Sequence, residues 1–228
     1  MIDAVYQTII KIMRLPLSTL SLLALLQLSS VSSTADDTNL VTNPGFESGH
    51  AAYTLFIGPE SSGANCRFTI SPDTFHSGQQ SALMQADDFA RFSLCAQVST
   101  ALVAGDVYRV GVWVKAGTDF QAQPGSPGVV LRLNPEAGSP PAAISTGFIF
   151  VYANATISMA GPPDFGPRTV ATPDLTSWTH LEAVVKIPDG VDHYAPALFF
   201  WRAKGSLYVD DFTFQKVDPG TSLTPAAK

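Results

Sequence analysis

The sequence predicts an all-β protein built as an antiparallel β-sandwich, most simply a single-domain jelly roll. Short runs rich in valine, phenylalanine and tyrosine alternate between apolar and polar side chains with a period of two, as strands do. The 17 glycines and 17 prolines punctuate these runs as turns. Because no strand–helix–strand pattern occurs among them, we expect antiparallel rather than parallel sheets.

Composition and charge narrow the class of protein. The chain has 228 residues, of which 46% are hydrophobic and 14% charged, so it is long enough to bury the core of one all-β domain. Its formal net charge is -6. A nucleic acid or an anionic membrane requires a clustered basic face. The sequence offers no such cluster, so we expect neither as a partner.

The N-terminal residues 1–35 predict a signal peptide. An apolar, uncharged segment at 15–28, LPLSTLSLLALLQL, follows Lys11 and Arg14 and precedes a run of small residues. An uncleaved membrane anchor is the weaker interpretation, because about 14 apolar residues fall short of the roughly 20 that span a bilayer. We therefore expect a secreted protein, cleaved after Ala35, with no membrane span after cleavage.

Two segments show the alternation most clearly. In YRVGVWVKA, residues 108–116, the valines share one face while arginine, tryptophan and lysine share the other. WTHLEAVVKIP, residues 178–188, repeats the pattern. ALFFWRA and SLYVDDFTFQKV, on either side of Lys204-Gly205, predict a closing hairpin. Weaker strands are expected near residues 52–57, 66–71, 80–86, 91–99, 128–134 and 146–159.

These segments set the domain bounds. We assign residues 36–218 to the jelly roll. Residues 219–228, PGTSLTPAAK, have the composition of a flexible tail. Asn154-Ala155-Thr156 is a glycosylation sequon, which matters only if the host is eukaryotic.

Cys66 and Cys95 are the only cysteines in the chain. Secretion would place them in an oxidising compartment, which favours a disulfide between them. Closing a loop of about 30 residues would stabilise the fold by ~3 kcal/mol in the loop-entropy picture. The alternative is a pair of buried thiols that do not meet.

Four features occur in a fixed order along the chain. They are NLVTNPGFESG at 39–49, HSGQQSALM at 76–84, YRVGVWVKA at 108–116, and SWTHLEAVVKIP at 177–188 followed by GSLYVDDFTF at 205–214. Together they resemble carbohydrate-binding modules of the CenC type, families 4 and 9, which share the galactose-binding-domain-like jelly roll. The sequence departs from that pattern in lacking a tryptophan soon after FESG and in a long insertion before Trp178.

The resemblance implies a structural calcium ion that joins the two ends of the domain. Carried over residue by residue, its ligands are the Glu47 side chain, the main-chain oxygens of Gly45 and Gly78, and the Asp210 carboxylate, with Asp211 as the alternative. Calcium takes six to eight hard oxygens from carboxylates and carbonyls, which this set would supply. The alternative interpretation is that Glu47 and Asp210 are hydrogen-bonded turn carboxylates without a metal.

A carbohydrate site pairs an aromatic ring with planar polar side chains, because sugars present C–H faces ringed by hydroxyl groups. Candidates are therefore aromatic residues on an outward strand face. They are Trp113, Trp201, Phe150 and Tyr152. The stripe that contains Phe150 and Tyr152 has a core position as its alternative. The resemblance adds Arg91 and Phe92, which fall where some family members place ligand contacts.

These observations predict a secreted, non-catalytic module that binds a polysaccharide of the β-glucan or xylan class and is a monomer. The sequence shows neither a recognisable pair of catalytic carboxylates nor a GxSxG nucleophile elbow. One alternative is a cell-surface or matrix adhesion protein that uses the jelly roll without a sugar site. A glycoside hydrolase assignment would follow only from the enzymes to which such modules are usually attached.

Overall fold

The computed structural model describes residues 38–135, 148–152, 156–159 and 174–224. Within these ranges the protein is all-β apart from one turn of 3-10 helix at Pro59–Ser61, which confirms the predicted fold class. No helix in the described ranges is long and apolar enough to cross a membrane. The predicted signal peptide and the Asn154 sequon lie outside the described residues.

Ten strands are present in the described part of the chain, and every pairing between them is antiparallel. Their bounds are β1 Tyr53–Ile57, β2 Arg67–Ser71, β3 Ser81–Ala96, β4 Val107–Ala116, β5 Gln121–Ala122, β6 Gly128–Pro135, β7 Ile149–Tyr152, β8 Thr156–Met159, β9 Thr179–Lys186 and β10 Tyr194–Val217.

The long strands β3 and β10 each contribute to both layers of the sandwich. Layer A contains residues 81–86 of β3 and 205–217 of β10, which pair with each other, together with β2, β4 and β9. Layer B contains residues 90–96 of β3 and 194–203 of β10, which pair with each other, together with β1, β6, β7 and β8. One hydrophobic core draws on both layers, so it lies between them.

The predicted closing hairpin is wrong, because β10 is one continuous strand. Its pairing with β3 runs from Ala197 to Val209, interrupted only by irregularities on either side of Ala203. Arg202 has a φ of 49° and Gly205 a φ of 92°, values that belong to bulges here rather than to a hairpin turn. The backbone therefore changes layer at Lys204-Gly205 without reversing direction.

The predicted alternation in β4 and β9 is confirmed. Val110, Val112 and Val114 are fully buried in the core, and Leu181 joins them from β9. Full burial of one such side chain contributes roughly 1.5–3 kcal/mol, so these rows are a main source of stability. The opposite face of layer A carries polar and aromatic side chains.

The predicted flexible tail, residues 219–228, contacts β9 through Thr224. The Thr224 N–H donates to the Val184 carbonyl at 3.0 Å, and the Thr224 hydroxyl accepts from the Val184 N–H at 2.8 Å. Thr224 thereby satisfies both backbone groups of Val184. Residues 225–228 lie outside the described part of the chain.

The predicted disulfide is not formed, since Cys66 and Cys95 are both thiols in the structure. Cys66 packs against the main core, whereas Cys95 packs against a separate cluster on the far side of layer B. The two side chains therefore belong to opposite faces of a sheet, and a bridge would require one of them to pass through it. The alternative of two separate thiols is the one that the structure adopts.

Candidate functional site

The outer face of layer B carries a second set of aromatic side chains, directed away from the core. Strand alternation sends Leu94 and Leu198 inward, so their neighbours in β3 and β10 point outward. The cluster there is Val130, Phe150, Ala197, Phe199 and Trp201, with Cys95 and Phe148 packed at its margin. We call this surface the B face.

The strand register lines these residues up across the sheet. One row runs from Phe56 on β1 through Ser93 and Phe199 to Val130 on β6. Phe56 is 58% exposed, so it is the open aromatic ring at the edge of the B face. The B face therefore combines buried rings at its centre with an exposed ring at its margin.

Arg132 lies over the buried rings. Its guanidinium carbon is 4.1 Å from the ring centroid of Phe199, 4.9 Å from that of Phe148 and 5.8 Å from that of Phe150. Its Nε donates to the Asn134 side-chain oxygen. Burial above all, and to a smaller extent the charge of Arg91, lowers the pKa of Arg132 to about 10 against the opposing effect of Cys95, so the guanidinium is charged at neutral pH.

Arg91 holds the corresponding place over Trp201. Its guanidinium carbon is 5.1 Å from the ring centroid, and its Nε is 2.9 Å from a carboxylate oxygen of Glu60. The Arg91 backbone is fixed by Ser61, whose hydroxyl accepts from the Arg91 N–H at 2.7 Å. The 3-10 turn therefore positions both members of this ion pair.

A shallow pocket of about 120 Å³ opens beside this pair. The polar side chains that line it are those of Glu60, Ser61, Arg91, Gln123 and Arg202. Arg202 lies at the bulge in β10, where its backbone carbonyl accepts from the Gln123 N–H at 2.9 Å. The bulge thus brings a second arginine to the end of the B face.

Three of the predicted carbohydrate-binding residues, Trp201, Phe150 and Arg91, lie together on the B face. Trp201 is only 7% and Phe150 only 3% exposed, so neither is an open platform. Tyr152 ends β7, and its side chain lies outside the described part of the structure. The prediction for Phe92 is wrong: this ring is fully buried and lies 4.9 Å from that of Phe200 in the core.

Sequence reasoning missed Phe56 and Arg132. Phe56 shares its parity with Thr54 in the edge strand YTLFI, which is the pattern of an outward residue. Arg132 interrupts the apolar run VVLRL, where a charged side chain at the outward parity indicates a second functional face. Both signals were present, but neither residue belongs to the family pattern.

Trp113 lies on the outer face of layer A, remote in the fold from Trp201. Its indole ring stacks on the imidazoles of His76, at 3.9 Å between centroids, and of His180, at 4.6 Å. Gly111 makes room for the latter ring, because a Cβ there would lie 2.7 Å from His180 Nε2. The π-surface of Trp113 is thus already engaged, which argues against the prediction that it stacks on a sugar.

The opening segment NLVTNPGFESG is bound to β10. The Asn39 side chain donates to the Phe212 carbonyl at 2.8 Å and accepts from the Phe214 N–H at 3.0 Å. Asn43 closes the turn that follows, since its side-chain oxygen accepts from the Ser48 N–H at 2.9 Å. The two ends of the described domain are therefore joined through side chains of this segment.

Asp210 lies beneath this turn and is fully buried. Its Oδ2 accepts from the N–H groups of His76 and Ser77, at 2.8 and 3.2 Å, and its Oδ1 accepts from the Asp211 N–H at 2.9 Å. Burial above all, together with the charge of Asp211, raises the pKa of Asp210 to about 6 against the opposing hydrogen bonds. A cation nearby would favour its ionised form.

The other predicted calcium ligands gather at the same place. A Cβ on Gly45 would lie 3.2 Å from Asp211 Oδ1, and a Cβ on Gly78 would collide with the Glu47 carboxylate. Glu47 Oε1 accepts from the Gln79 N–H at 3.0 Å. Within the described ranges no three histidine, cysteine or acidic side chains are arranged to hold a metal by themselves. An ion here would therefore need main-chain oxygens as well.

Comparisons with known proteins identify the fold. No family model matches the sequence, and no curated protein matches it. Among solved structures, the carbohydrate-binding module TmCBM61 in complex with β-1,4-galactotriose has a TM-score of 0.50 and 18% identity, over 79% of this chain and 99% of its own. The enzymatically active domain of bacteriophage CBA120 tailspike protein 4 has a TM-score of 0.52 and 10% identity, over 78% of this chain and 21% of its own. At these identities the likeness shows a shared fold alone.

Proposed function

We propose that this protein is a secreted, non-catalytic carbohydrate-binding module that binds a polysaccharide on the B face. The observation that carries the proposal is the pairing of aromatic rings with planar polar groups on a sheet face turned away from the core. The similarity in fold to a module solved with a galactotriose supports the same class.

The proposed contacts follow from what is outermost on the B face. Phe56 is the exposed ring on which a sugar C–H face packs. The guanidinium groups of Arg91 and Arg132 donate to sugar oxygens, and Glu60 accepts from hydroxyl groups. The rings of Trp201 and Phe199 support these groups from below. For the polymer we propose the β-glucan or xylan class.

A second candidate function is adhesion or display by a jelly roll without a sugar site. The observation that favours it is the burial of Trp201 and Phe150, the two rings on the B face that the sequence nominates as sugar platforms. In that case Arg91 and Arg132 complete a second hydrophobic cluster, and Phe56 has no ligand.

We also propose that calcium binds between the opening turn and β10. Glu47, Asp210 and Asp211 would supply carboxylate oxygens there, and Gly45 and Gly78 main-chain oxygens, a donor set whose hard oxygens suit this ion. The ion would offset the cost of burying the Asp210 charge and would tie both ends of the domain together.

Affinity electrophoresis in gels containing β-glucan, xylan, mannan or galactan tests the binding proposal. We expect retardation in at least one gel, and its loss in Phe56→Ala and Arg91→Gln. Phe75→Ala is the matched control, since Phe75 is 41% exposed but lies outside the B face. Unretarded migration of the wild-type protein in every gel would favour the adhesion alternative.

A further inference from the structure

The B face is basic although the protein as a whole is acidic. The chain has a formal net charge of -6. The B face and the pocket at its end carry three arginines, Arg91, Arg132 and Arg202, and among the described residues there only Glu60 supplies a carboxylate. A cleft lined by one sign of charge attracts ligands of the opposite sign.

Arg132 is the strongest element of this pattern. No carboxylate in the described ranges forms an ion pair with it, although it is partly desolvated among three phenylalanine rings. Contact with the rings offsets the free-energy cost of desolvating the Arg132 charge, and an opposing charge would stabilise it further. Its Nε is taken by Asn134, while a guanidinium has four further N–H donors on its terminal nitrogens.

The second cationic position lies at the other end of the B face. Arg91 forms an ion pair with Glu60, and Arg202, which lines the same pocket, is exposed. Arg132 is in register with Ala197 of β10, and Arg91 with Trp201, four residues further along that strand. At about 3.3 Å per strand residue, the two positions are about 13 Å apart along the strand, so one extended polymer reaches both.

We infer that the polysaccharide bound on the B face carries carboxylates, as uronic acid residues do. A carboxylate of the ligand pairs with Arg132, and another enters the Arg91–Arg202 pocket. Arginine suits this role because its planar fork binds a carboxylate through two parallel hydrogen bonds. This inference rests on the proposed function, of which it specifies the substrate class.

The test compares polymers that share a backbone and differ in charge. We expect glucuronoxylan to bind at least tenfold more tightly than the same polymer after its carboxyl groups are reduced to alcohols, a difference of about 1.4 kcal/mol. Rising salt should weaken binding of the acidic form and leave that of the reduced form nearly unchanged. Polygalacturonate and its methyl ester form a second matched pair.

Three variants connect the charge preference to the B face. Arg132→Gln and Arg202→Gln should each lower affinity for the acidic polymer about tenfold. Arg202→Gln should leave affinity for the neutral polymer unchanged, whereas Arg132→Gln, which also loses donors to sugar oxygens, should lower affinity for the neutral polymer by a smaller factor than affinity for the acidic one. Arg67→Gln removes the same charge from layer A, where Arg67 pairs with Asp87 at 2.9 Å, and should have no effect. Arg202 is exposed, so its variant tests the inference even if Arg132→Gln does not fold.

The outcomes separate the inference from the proposed function. Equal binding of the acidic and neutral forms would overturn the inference and leave the proposed function standing. The absence of binding to every polymer would overturn both. Dextran sulfate distinguishes the source of the charge: if it binds as tightly as glucuronoxylan, the B face is a general polyanion surface and the carboxylate assignment is wrong.

Discussion

The guanidinium of Arg132 lies 4.1 Å from the ring centroid of Phe199, on the side of layer B that faces away from the core. Such a contact stabilises a fold by about 0.5–2 kcal/mol, depending on how far the charge is desolvated. Arg132→Met should therefore lower the free energy of unfolding by about 1 kcal/mol, because it keeps the apolar stem and loses the charge. Urea denaturation measures this difference. An Arg132→Met protein more stable than the wild type would show that the buried charge is a net cost.

Phe92 and Phe56 should differ sharply in their contribution to stability. Phe92 is fully buried in the core, so Phe92→Ala should cost about 3–5 kcal/mol of unfolding free energy. Phe56 is mostly exposed, and Phe56→Ala should change that free energy by less than about 0.5 kcal/mol. Denaturant unfolding of the two variants makes the comparison. Similar losses in both would mean that β3 or β1 has a different register.

The stability of the fold should depend on pH through His180. Burial lowers the pKa of His180 below its ordinary 6.5, against the opposing charge of Glu182. As the pH falls, His180 is therefore protonated in the unfolded chain before it is protonated in the folded protein. The stabilisation is complete above pH 6.5 and is lost as the pH drops towards the folded-state pKa.

Unfolding measured between pH 5 and 8 tests this dependence. Protonation of Asp210, whose pKa is about 6, stabilises the folded state over the same range, so the two proteins are compared by difference. Below pH 6.5 the wild type should lose stability relative to His180→Gln. His193→Gln is the control, since His193 precedes β10 and lies outside the stack on Trp113. A curve for His180→Gln that falls as steeply as that of the wild type would assign the pH dependence to other groups.

Calcium should raise the melting temperature of the wild-type protein at pH 7. A ligand at 100 times its Kd stabilises the folded state by about 2.7 kcal/mol, so a chelator should produce a shift of several degrees. Glu47→Gln should abolish most of the shift, whereas Glu60→Gln, which alters a carboxylate at the B face, should retain it. A wild-type melting temperature that a chelator leaves unchanged would show that calcium does not stabilise the fold.

The inward and outward side chains of the sandwich could be predicted from short-range alternation, since a period of two decides which side chains of β4 and β9 face the core. The hairpin prediction failed because a glycine with positive φ serves a turn and a bulge equally well. Pairing with β3, a long-range contact, makes the segment at Gly205 a bulge rather than a turn. The local sequence does not specify that partner strand.

The candidate site was predictable only in part, for related reasons. Trp201 and Phe150 have the outward parity, but arginines from other strands cover them: Arg91 lies over Trp201 and Arg132 over Phe150. Arg91 and Phe92 are adjacent in one strand, so they cannot both face the ligand. The resemblance to carbohydrate-binding modules predicts both residues as ligand contacts, and the alternation within β3 directs only Arg91 outward.

Amide chemical shifts of the isotope-labelled protein, recorded during titration with glucuronoxylan fragments, test the central claim most directly. We predict that the perturbed residues cluster on the B face, with Phe56, Arg91, Arg132 and Arg202 among them, and that the outer face of layer A around Trp113 stays unchanged. Perturbations confined to layer A, or absent at saturating concentrations of every fragment, would contradict the assignment of the B face as the polysaccharide site.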